Sequence, residues 1–509
     1  MALAGTLSIT LSGVSGRLIE VEADLSAGLP GLTFTGLPDV SVLESRDRIR
    51  AAVLNSGLSW PNKRITVALL PADVRKYGSM FDVALAVSVL AAAGDVPARA
   101  VSGVVWLAEL GLDGRLRPVR GALPAVLAAR EAGVGRVVVS PGNCAEAALV
   151  TGLDVQVASS LAEIVLALRG GAPLTGASAG RPDPPAPLPD LADVVGQPVA
   201  RRALEIAAAG AHHLLLEGAP GAGKTMLAER LPSILPELEP AEALEVTAIH
   251  SVAGVLPGGA GLLRRPPLQA PHHTSSMAAL VGGGTGLGRP GAASLAHRGV
   301  LVLDEAAEFK PTVLDSLRQP LESGEIVLHR TGGAVSYPAR FQLVMATNPC
   351  PCGAAKDTDC SCTPDARRRY RRRLSGPLLD RIDLQIPIDP VSRAELMQDQ
   401  EAREPSAAVA ERVIAARAAA RARWAPFGWN TNAEVPGPVL RSRGCRPPRQ
   451  ALARLDAEIE RGGLSARGCD RVLKLSWTLS DLAGLDSPGS AEIAEAIWLR
   501  TGRAAVTSA

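Results

Sequence analysis

The chain has 509 residues, enough for roughly three or four domains of ordinary size. Its 47% hydrophobic and 20% charged residues are typical of a globular protein. The formal net charge of +2 excludes nucleic-acid binding driven by bulk charge, although a local basic face is compatible with it.

The first sixteen residues have neither the basic segment nor the long apolar segment of a secretion signal. The most apolar stretch, Val83 to Ala93, is shorter than the ~20 residues needed to span a bilayer. We therefore expect a cytoplasmic protein with no membrane partner. Four of the seven cysteines lie close together, and in a reducing compartment such a cluster favours metal binding over disulfides.

The N-terminal third has the pattern of a compact α/β unit. Helical spacing of apolar residues predicts a helix over Val42 to Asn55, and alternation at Ile65, Val67 and Leu69 predicts a strand. A buried helix is expected over Phe81 to Ala92. Val104 to Leu110 and Leu116 to Val119 flank Asp113-Gly114 and predict a hairpin. A helix is expected over Ala122 to Ala132 and a strand over Arg136 to Val139, and a helix, a strand and a helix follow up to Arg169.

Residues 170–190 are rich in Gly, Pro, Ala and Ser and predict a flexible, partly extended linker. Beyond it, strands and helices alternate to about residue 388, which indicates a parallel sheet wrapped by helices. The remainder is mostly helical, with an interruption at 430–448. The predicted layout is an N-terminal α/β domain, a linker, a parallel-sheet core and a helical lid: 1–170, 171–190, 191–389 and 390–509.

A phosphate-binding loop follows the short apolar strand that ends at Glu217. The pattern G-x-x-x-x-G-K-[ST], between a strand and a helix, cradles phosphates with backbone N–H groups and the helix N-terminus. Lys224 is expected to reach the β- and γ-phosphates of ATP, and the Thr225 hydroxyl to bind Mg²⁺. The loop comprises Gly218, Ala219, Pro220, Gly221, Ala222, Gly223, Lys224 and Thr225.

A second apolar strand, Gly299 to Leu303, ends in an acidic pair. Acidic residues also cap helices, but together with the phosphate loop the pair indicates a Walker B motif. Asp304 is expected to hold Mg²⁺ and Glu305 to polarise the attacking water. The sequence thus predicts an ATP hydrolase.

Several longer motifs accompany these two, and together they resemble those of the Mg-chelatase-like AAA+ ATPases of the YifB/ComM family over essentially the whole chain. They are Pro271-His272-His273-Thr274-Ser275, Gly282-Gly283-Gly284, the stretch Ser294-Leu295-Ala296-His297-Arg298-Gly299-Val300-Leu301-Val302-Leu303-Asp304-Glu305, Arg318-Gln319-Pro320-Leu321-Glu322 and Asn348-Pro349-Cys350-Pro351-Cys352-Gly353. The resemblance implies a hexameric ring with ATP at each interface. It also implies a DNA helicase that promotes branch migration during natural transformation, acting on single-stranded or branched DNA.

Three further site residues follow from the AAA+ resemblance. Asn348, which ends a third strand, takes the sensor 1 position between the Walker motifs, although Asn before Pro349 is also typical of a plain turn. Arg381 is the candidate arginine finger for a neighbour's ATP; a salt bridge with Asp380 or Asp383 is the alternative. Arg467, at the start of a helix, is the sensor 2 candidate, and an ordinary surface arginine is its alternative.

Two segments are candidate DNA contacts. The alternating stretch Glu325 to Arg340 predicts a hairpin, which lines the pore in related ring helicases, with His329 and Arg330 near its tip. The run Arg367 to Arg373, including Arg371, is equally typical of a phosphate-binding face, with Tyr370 stacking on a base, and of a solvated helix face. A solvated hairpin is likewise the alternative for the first segment. His272 and His273 are hypothesised to lie in a pore or interface loop, with metal binding as the weaker alternative.

The cysteine cluster pairs Cys350-x-Cys352 with Cys360-x-Cys362. Four thiolates within thirteen positions suit one tetrahedral Zn²⁺, but the C-x-C spacing is tighter than the usual one. Zinc and reduced free thiols both remain open. Since the cluster follows Asn348 directly, a metal there would brace a loop near the ATP site.

The N-terminal unit resembles the proteolytic domain of Lon-type proteases through Gly111 to Val119 and the following helix. Those proteases use a Ser nucleophile and a Lys base. Met80 occupies the Ser position, with Ser79 beside it, and Pro124 occupies the Lys position. Without a base Ser79 is an ordinary hydroxyl, so we expect a non-proteolytic binding or assembly module.

The leading alternative function is a magnesium-chelatase subunit that drives metal insertion into a porphyrin, since the same AAA+ core supports it. The N-terminal Lon-like unit argues against it. An ATP-dependent protease would need the Ser–Lys pair that the sequence lacks.

Overall fold

The computed structural model describes residues 2–180, 186–257, 259, 261–284, 288–330, 333–354, 357–392, 395 and 403–502. They form a mixed α/β structure with one sheet in the N-terminal third, a parallel sheet in the middle and helices at the C-terminal end. Within these ranges no helix is long and apolar enough to cross a lipid bilayer.

The N-terminal sheet has eight strands in the order β10-β9-β8-β5-β1-β2-β4-β3, and β6 and β7 form a small separate hairpin. The strands are β1 Ala2–Ser12, β2 Ser15–Ser26, β3 Gly31–Thr35, β4 Arg64–Leu70, β5 Val104–Leu107, β6 Glu109–Leu110, β7 Leu116–Arg117, β8 Arg136–Val139, β9 Asp154–Val157 and β10 Thr175–Gly176. The helices are α1 Val40–Asn55, α2 Asp82–Ala93, α3 Ala98–Val101, α4 Ala122–Glu131, α5 Cys144–Ala147 and α6 Leu161–Leu168. All the elements predicted here from the sequence are confirmed within a few residues.

The long hairpin of β1 and β2 is the main feature that the sequence pattern does not predict. It pairs in register from Ala2 opposite Leu25 to Ser12 opposite Ser15. The inward face of β1 carries hydroxyls rather than large apolar groups, which weakens the alternation. Thr6 and Ser8 are buried and donate to the carbonyls of Ala84 and Trp106 at 3.1 Å each, so the hydroxyls are satisfied inside the core.

The segment predicted as a linker begins as part of the sheet. Thr175–Gly176 pairs antiparallel with β9 as an edge strand. Residues 181–185 lie outside the described part of the chain. The chain then enters a short 3₁₀ turn, Leu191–Asp193, whose first residue is buried. The domain boundaries given above stay a prediction.

The middle sheet has five parallel strands in the order β12-β13-β16-β11-β17, as the alternation of strands and helices predicted. Its strands, together with the separate hairpin of β14 and β15, are β11 Leu214–Gly218, β12 Leu268–Gln269, β13 Val300–Leu303, β14 Glu325–Arg330, β15 Gly333–Pro338, β16 Gln342–Thr347 and β17 Leu384–Ile388. The helices are α7 Pro198–Gly210, α8 Lys224–Arg230, α9 Pro240–Ala253, α10 Met277–Val281, α11 Ala292–Leu295, α12 Pro311–Asp315, α13 Pro320–Ser323, α14 Pro364–Arg371 and α15 Gly376–Leu379.

The C-terminal helices pack against the side of this sheet where its strands begin. They are α16 Ser406–Trp424, α17 Gly437–Leu440, α18 Arg449–Glu460, α19 Ala466–Ala483 and α20 Ser490–Thr501. Fully buried Asp383, just before β17, joins them to the sheet: Arg471 of α19 donates to it at 3.0 Å. Burial alone would raise the pKa of Asp383, but Arg471 and the nearby His212 hold that pKa well below its ordinary value.

The N-terminal unit rests on α9. Ala248 of α9 is part of the N-terminal hydrophobic core, and Ser251 of α9 donates through its hydroxyl to Glu146 at 2.6 Å. The Ser251 carbonyl also accepts from the Gly121 N–H at 3.0 Å. Helix α9 therefore packs against the N-terminal unit as well as being part of the middle domain.

Candidate functional site: a nucleotide pocket at the carboxyl edge of the parallel sheet

The phosphate loop leaves β11 at Gly218 and leads directly into α8, which begins at Lys224. Gly221 and Gly223 have φ angles of 77° and 88°, a left-handed conformation that side chains with a Cβ rarely adopt. The Lys224 ammonium is buried and donates to the carbonyls of Gly218 and Ala219, at 2.8 Å each. Burial lowers the pKa of Lys224. The loop thus has the predicted strand–loop–helix context.

The two groups expected to bind Mg²⁺ lie side by side. The Thr225 hydroxyl donates to the Asp304 carboxylate at 2.7 Å. Thr225 is exposed at the start of α8, and Asp304 follows the last residue of β13. A hydroxyl and a carboxylate at this distance, both open to solvent, provide the oxygen ligands that Mg²⁺ prefers.

Glu305 lies next to Asp304 with a φ of 51°, an uncommon backbone conformation for a residue other than glycine. Its carboxylate lies 3.0 Å from the Nδ1 atom of His273, in the loop between β12 and α10. The neighbouring His272 bonds Thr274 instead, at 2.9 Å. The His-His motif therefore lies at the nucleotide pocket, and His273 is a site residue whose partner the sequence did not identify.

Asn348 follows β16, between β11 and β13 in the sheet, and its Oδ1 atom accepts from the Lys224 ammonium at 3.1 Å. This contact places Asn348 between the two Walker motifs, where sensor 1 was expected. Lys224 and Asn348 are 124 positions apart in sequence. A residue that only formed a local turn would not need this contact.

Gln197 is a second residue of this pocket that the sequence did not reveal. It has a φ of 57°, precedes α7, and donates through Nε2 to the carbonyls of Ala222 and Asp389, at 3.3 and 2.5 Å. It therefore connects the phosphate loop to the end of β17. The available signal was Gly196-Gln197-Pro198 at a helix start, where Pro at the first turn is favourable.

Arg381 lies at the opposite edge of the sheet from the phosphate loop, just before β17 begins. Strand β11 separates the two edges by about 13 Å, at ~3.3 Å per residue. The Arg381 guanidinium is mostly buried and pairs with Glu322. It does not form the alternative salt bridge with Asp380 or Asp383. Arg318 of the same motif donates to the Ser375 hydroxyl at 3.0 Å. The motif Arg318 to Glu322 is thus joined by direct side-chain contacts to the segment that carries Ser375 and Arg381.

Arg467 is exposed in the first turn of α19, one turn before Arg471. Arg471 itself contacts Asp383 at the amino edge of the sheet. The sensor 2 assignment stays a prediction.

The four clustered cysteines converge. Their sulfur atoms all lie within 4.8 Å of one another, and three pairs lie at 3.3, 3.5 and 3.6 Å. Gly353 in this loop has a φ of 71°, and a Cβ there would lie 2.7 Å from the ring of Pro220 in the phosphate loop. The cysteine loop therefore contacts the phosphate loop directly.

The predicted hairpin is confirmed as β14 and β15, with His329 opposite Ala334 and Arg330 opposite Gly333. His329 is exposed; residues 331–332 and the Arg330 side chain lie outside the described part. At its base, Tyr337 is buried and donates to the Gly288 carbonyl at 2.9 Å. His329 is thus open to solvent, while the base of the hairpin is held against the glycine-rich loop.

The basic run forms most of α14, and here one expectation is wrong. Tyr370 is 5% exposed and packs in the core, so it is not available to stack on a base. The arginines around it are exposed except for half-buried Arg367, but Arg373 pairs with Glu308 at 2.7 Å and Arg368 with Asp365 at 2.5 Å. Arg371 lies 3.9 Å from Glu217 of β11. A solvated, internally paired helix face fits these contacts better.

In the N-terminal unit, Ser79 pairs with the Glu109 carboxylate and Met80 is buried. Pro124, at the position where a lysine base would be needed, is buried within α4. Lys76 is fully buried and donates to the Gly36 carbonyl at 2.8 Å. These contacts give Ser79 a carboxylate partner and no lysine.

Three family models match the chain. The model described as magnesium chelatase, subunit ChlI, matches residues 190–396; subunit ChlI of Mg-chelatase matches 21–143; and the C-terminal model of the same subunit matches 403–500. The second match covers part of the Lon-like unit, so that unit does not by itself argue against a chelatase relationship.

Three full-length relatives are similar. An uncharacterized protein of Mycobacterium tuberculosis is 53% identical over 98% of this chain and 99% of its own length. The competence protein ComM of Haemophilus influenzae is 40% identical over 98% of each chain. The uncharacterized protein YifB of Escherichia coli is 40% identical over 96% of this chain and 95% of its own.

Two further similarities are partial. The 38 kDa magnesium-chelatase subunit of Rhodobacter capsulatus is 31% identical over 31% of this chain. The Lon protease of Mycolicibacterium smegmatis is 29% identical over 31% of this chain and 22% of its own length. Both resemblances are therefore real but limited in extent.

We predict that Lys224→Ala weakens ATP binding at least tenfold, because the buried ammonium that would face the phosphates is lost. Isothermal titration with a slowly hydrolysed ATP analogue measures this. Lys310→Ala, which removes an exposed lysine before α12, should bind normally. Unchanged affinity in Lys224→Ala with an intact fold would contradict the placement of the phosphates.

Proposed function

The chain belongs to the YifB/ComM family of Mg-chelatase-like AAA+ ATPases, and from this premise we propose that it is an ATP-driven motor that moves on DNA. The observation that carries the ATPase part is the convergence of Lys224, Asn348, Thr225 and Asp304 at one edge of the sheet. The DNA part is supported by the full-length similarity to a competence protein and by the exposure of His329 in the hairpin.

In the proposed reaction, a water oxygen forms a bond to the γ-phosphorus while the bond to the β–γ bridging oxygen breaks, and ADP leaves. Lys224 and the phosphate-loop N–H groups neutralise the phosphates. Thr225 and Asp304 would hold Mg²⁺, which supplies charge neutralisation at the β- and γ-oxygens. Glu305 orients the water and accepts its proton, which passes on to phosphate, and Asn348 holds Lys224 in line.

The position of Arg381 supports a site completed by a second copy of the chain. Arg381 lies at the amino edge, which the length of β11, about 13 Å, separates from the edge that carries the phosphate loop, so it would act on a neighbour's γ-phosphate. Its bond to Glu322 would then have to be exchanged for the phosphate when a ring forms. We propose a homo-hexamer on the basis of the family, with Arg467 also acting at an interface.

For DNA, we propose that single-stranded or branched DNA passes the β14–β15 hairpin, with His329 and Arg330 contacting phosphates. Branch migration during natural transformation is the process that the family suggests. Arg371 is a weaker contact, since it faces Glu217. A chelatase role is less supported, because the chelatase subunit matches 31% of this chain and ComM matches 98%.

We further propose that the cysteine cluster binds one Zn²⁺. At a Zn–S distance of ~2.3 Å a tetrahedral site needs sulfur–sulfur distances of about 3.8 Å, close to those observed. The backbone N–H of Ala354 lowers the pKa of Cys352 to about 6, which favours a thiolate at that position, whereas burial raises the pKa of Cys350. The bound metal would hold Gly353 against Pro220. The N-terminal unit is proposed to act in binding or assembly, without proteolysis.

The functional test is ATPase activity measured with and without single-stranded and forked DNA. We expect DNA to stimulate turnover, and His329→Ala with Arg330→Ala to reduce the salt dependence of DNA affinity by ~0.7 log unit per lost single-strand phosphate contact. Basal turnover without DNA should survive.

The charge control for this test is Arg46→Ala, which removes an exposed arginine of α1 in the N-terminal unit. It should leave the salt slope unchanged. Hairpin variants that bind DNA with the parent's affinity and slope would show that DNA does not pass this hairpin.

For the cysteines, elemental analysis of protein purified without added metal should give about one zinc per chain. The double variant Cys352→Ser, Cys360→Ser should lose the zinc, and Cys445→Ser, outside the cluster, should keep it. Metal-free parent protein with four readily alkylated cluster thiols would sink the zinc proposal.

A further inference from the structure

The turn between β1 and β2 of the N-terminal unit packs directly on the proposed DNA hairpin. Gly13 in this turn is buried and has a φ of 65°. A Cβ on Gly13 would lie 2.4 Å from the Ser336 carbonyl oxygen and 3.1 Å from a methyl carbon of Val335, both in β15. Since a side-chain carbon does not fit so close to a carbonyl oxygen, glycine is what allows the two backbones to approach each other here.

The contact lies close to the candidate DNA residues. In the register of β14 and β15, His329 lies opposite Ala334, and Val335 is the next residue along β15. In the described part of the chain these two strands form a sheet of their own. Because a two-stranded hairpin is only marginally stable by itself, the groups that pack on it determine where its tip lies.

The β1–β2 turn is itself held close to α9. Leu11 lies two residues before Gly13, and a Cβ on Gly121 would lie 2.3 Å from the Leu11 side chain and 3.4 Å from that of Val252 in α9. The Gly121 N–H donates to the Ser251 carbonyl of the same helix at 3.0 Å. Leu11 and Gly121 therefore connect the turn to a helix of the middle domain.

Helix α9 is also connected to the base of the DNA hairpin, through His297. The His297 Nδ1 atom accepts from the N–H of Arg340, two residues after β15, at 3.0 Å. Because Nδ1 accepts, Nε2 carries the proton and donates to the Glu245 carboxylate of α9 at 3.1 Å. The base of the hairpin and the turn that packs higher on it are therefore both fixed relative to α9.

We propose that the N-terminal unit positions the DNA hairpin: the turn at Gly13 holds β15 so that His329 and Arg330 meet the phosphates of single-stranded DNA. The inference rests on the proposed DNA function. It gives the N-terminal unit a specific role that needs no Ser–Lys pair. Gly13 acts as a positioning residue through the hairpin and does not itself contact DNA.

The test adds a Cβ at Gly13 in the full-length protein. Gly13→Asn suits this purpose, because Asn tolerates a positive φ better than most residues with a Cβ. The matched control is Gly133→Asn in the same unit, where φ is 74° and a Cβ would meet no atom within 4 Å. Val335→Ala trims the same contact from the hairpin side and leaves the turn unstrained, so it serves as the second variant if Gly13→Asn does not fold.

We expect Gly13→Asn, and Val335→Ala in the same direction, to weaken the affinity for single-stranded DNA about fivefold, the effect of one weakened hydrogen bond. The salt slope of that affinity should fall by ~0.7 log unit for each phosphate contact that the displaced hairpin loses. Basal kcat and the KM for ATP should stay within about twofold of the parent's. Amide hydrogen exchange of residues 333–338 should become faster in Gly13→Asn, whereas Gly133→Asn should match the parent in every measurement.

The His329→Ala, Arg330→Ala background shows whether Gly13 acts through the hairpin. There Gly13→Asn should cause little further loss of DNA affinity, because both changes act on the same contacts. A fully additive loss would mean that the N-terminal unit touches DNA directly, and the positioning role would be wrong. Equal DNA affinity and equal hydrogen exchange in Gly13→Asn and Gly133→Asn would also overturn it. If the hairpin variants alone leave DNA binding unchanged, the proposed DNA function fails, and that result is separate from the exchange measurement on Gly13→Asn.

Discussion

The parallel direction of the five strands in the middle sheet is the constraint on which the rest of the site depends. Because β11, β13 and β16 all run the same way and lie side by side, the residues that follow them meet at one edge. Lys224, Asp304 and Asn348 come from three segments more than 40 residues apart. A hydrogen bond of 3.1 Å joins Lys224 to Asn348, and one of 2.7 Å joins the adjacent Thr225 to Asp304. The same geometry sends Arg381 to the other edge, which is why we propose that it acts on the nucleotide of a neighbouring chain.

Loops and helices around this edge of the sheet contact the site residues directly. The cysteine loop contacts the phosphate loop through Gly353 and Pro220, and the His273 loop contacts Glu305. Helix α9 is shared with the N-terminal unit. The turn between β1 and β2 of the N-terminal unit also lies against β15, because a Cβ on Gly13 would lie 2.4 Å from the Ser336 carbonyl. The N-terminal unit therefore contacts the ATPase core at α9 and also at the proposed DNA hairpin.

How much the sequence could predict follows from which patterns are local. The phosphate loop, the acidic pair and the hairpin are contiguous, so their spacing alone indicates their structure. The β1–β2 hairpin was not predicted, because the buried residues Thr6 and Ser8 are polar and their positions look solvent-facing in the sequence. Tyr370 was misjudged because the six arginines around it hide one inward-facing residue on a helix.

Side-chain partnerships across the fold were the least accessible from the sequence. Nothing in the local pattern of His273 names Glu305, 32 positions away, and Gln197 carries no signal beyond a helix start. Arg381 illustrates the same limit: its charge suggested Asp380 or Asp383, close in sequence, yet the fold brings Glu322 to it. A partner of this kind is set by strand order, which spacing does not contain.

The central claim, that each ATP site is completed by the neighbouring chain, is tested most directly by mixing two inactive variants. Lys224→Ala lacks a working phosphate loop and Arg381→Ala lacks the finger, so each alone should hydrolyse ATP slowly; finger arginines contribute ~10³–10⁵ in rate in GTPases. In mixed rings some interfaces pair an intact phosphate loop with an intact Arg381. We predict that ATPase activity of the mixture clearly exceeds that of either variant at the same total concentration. A mixture no more active than its components, with mixed assembly verified by differently tagged chains, would contradict a site shared between subunits.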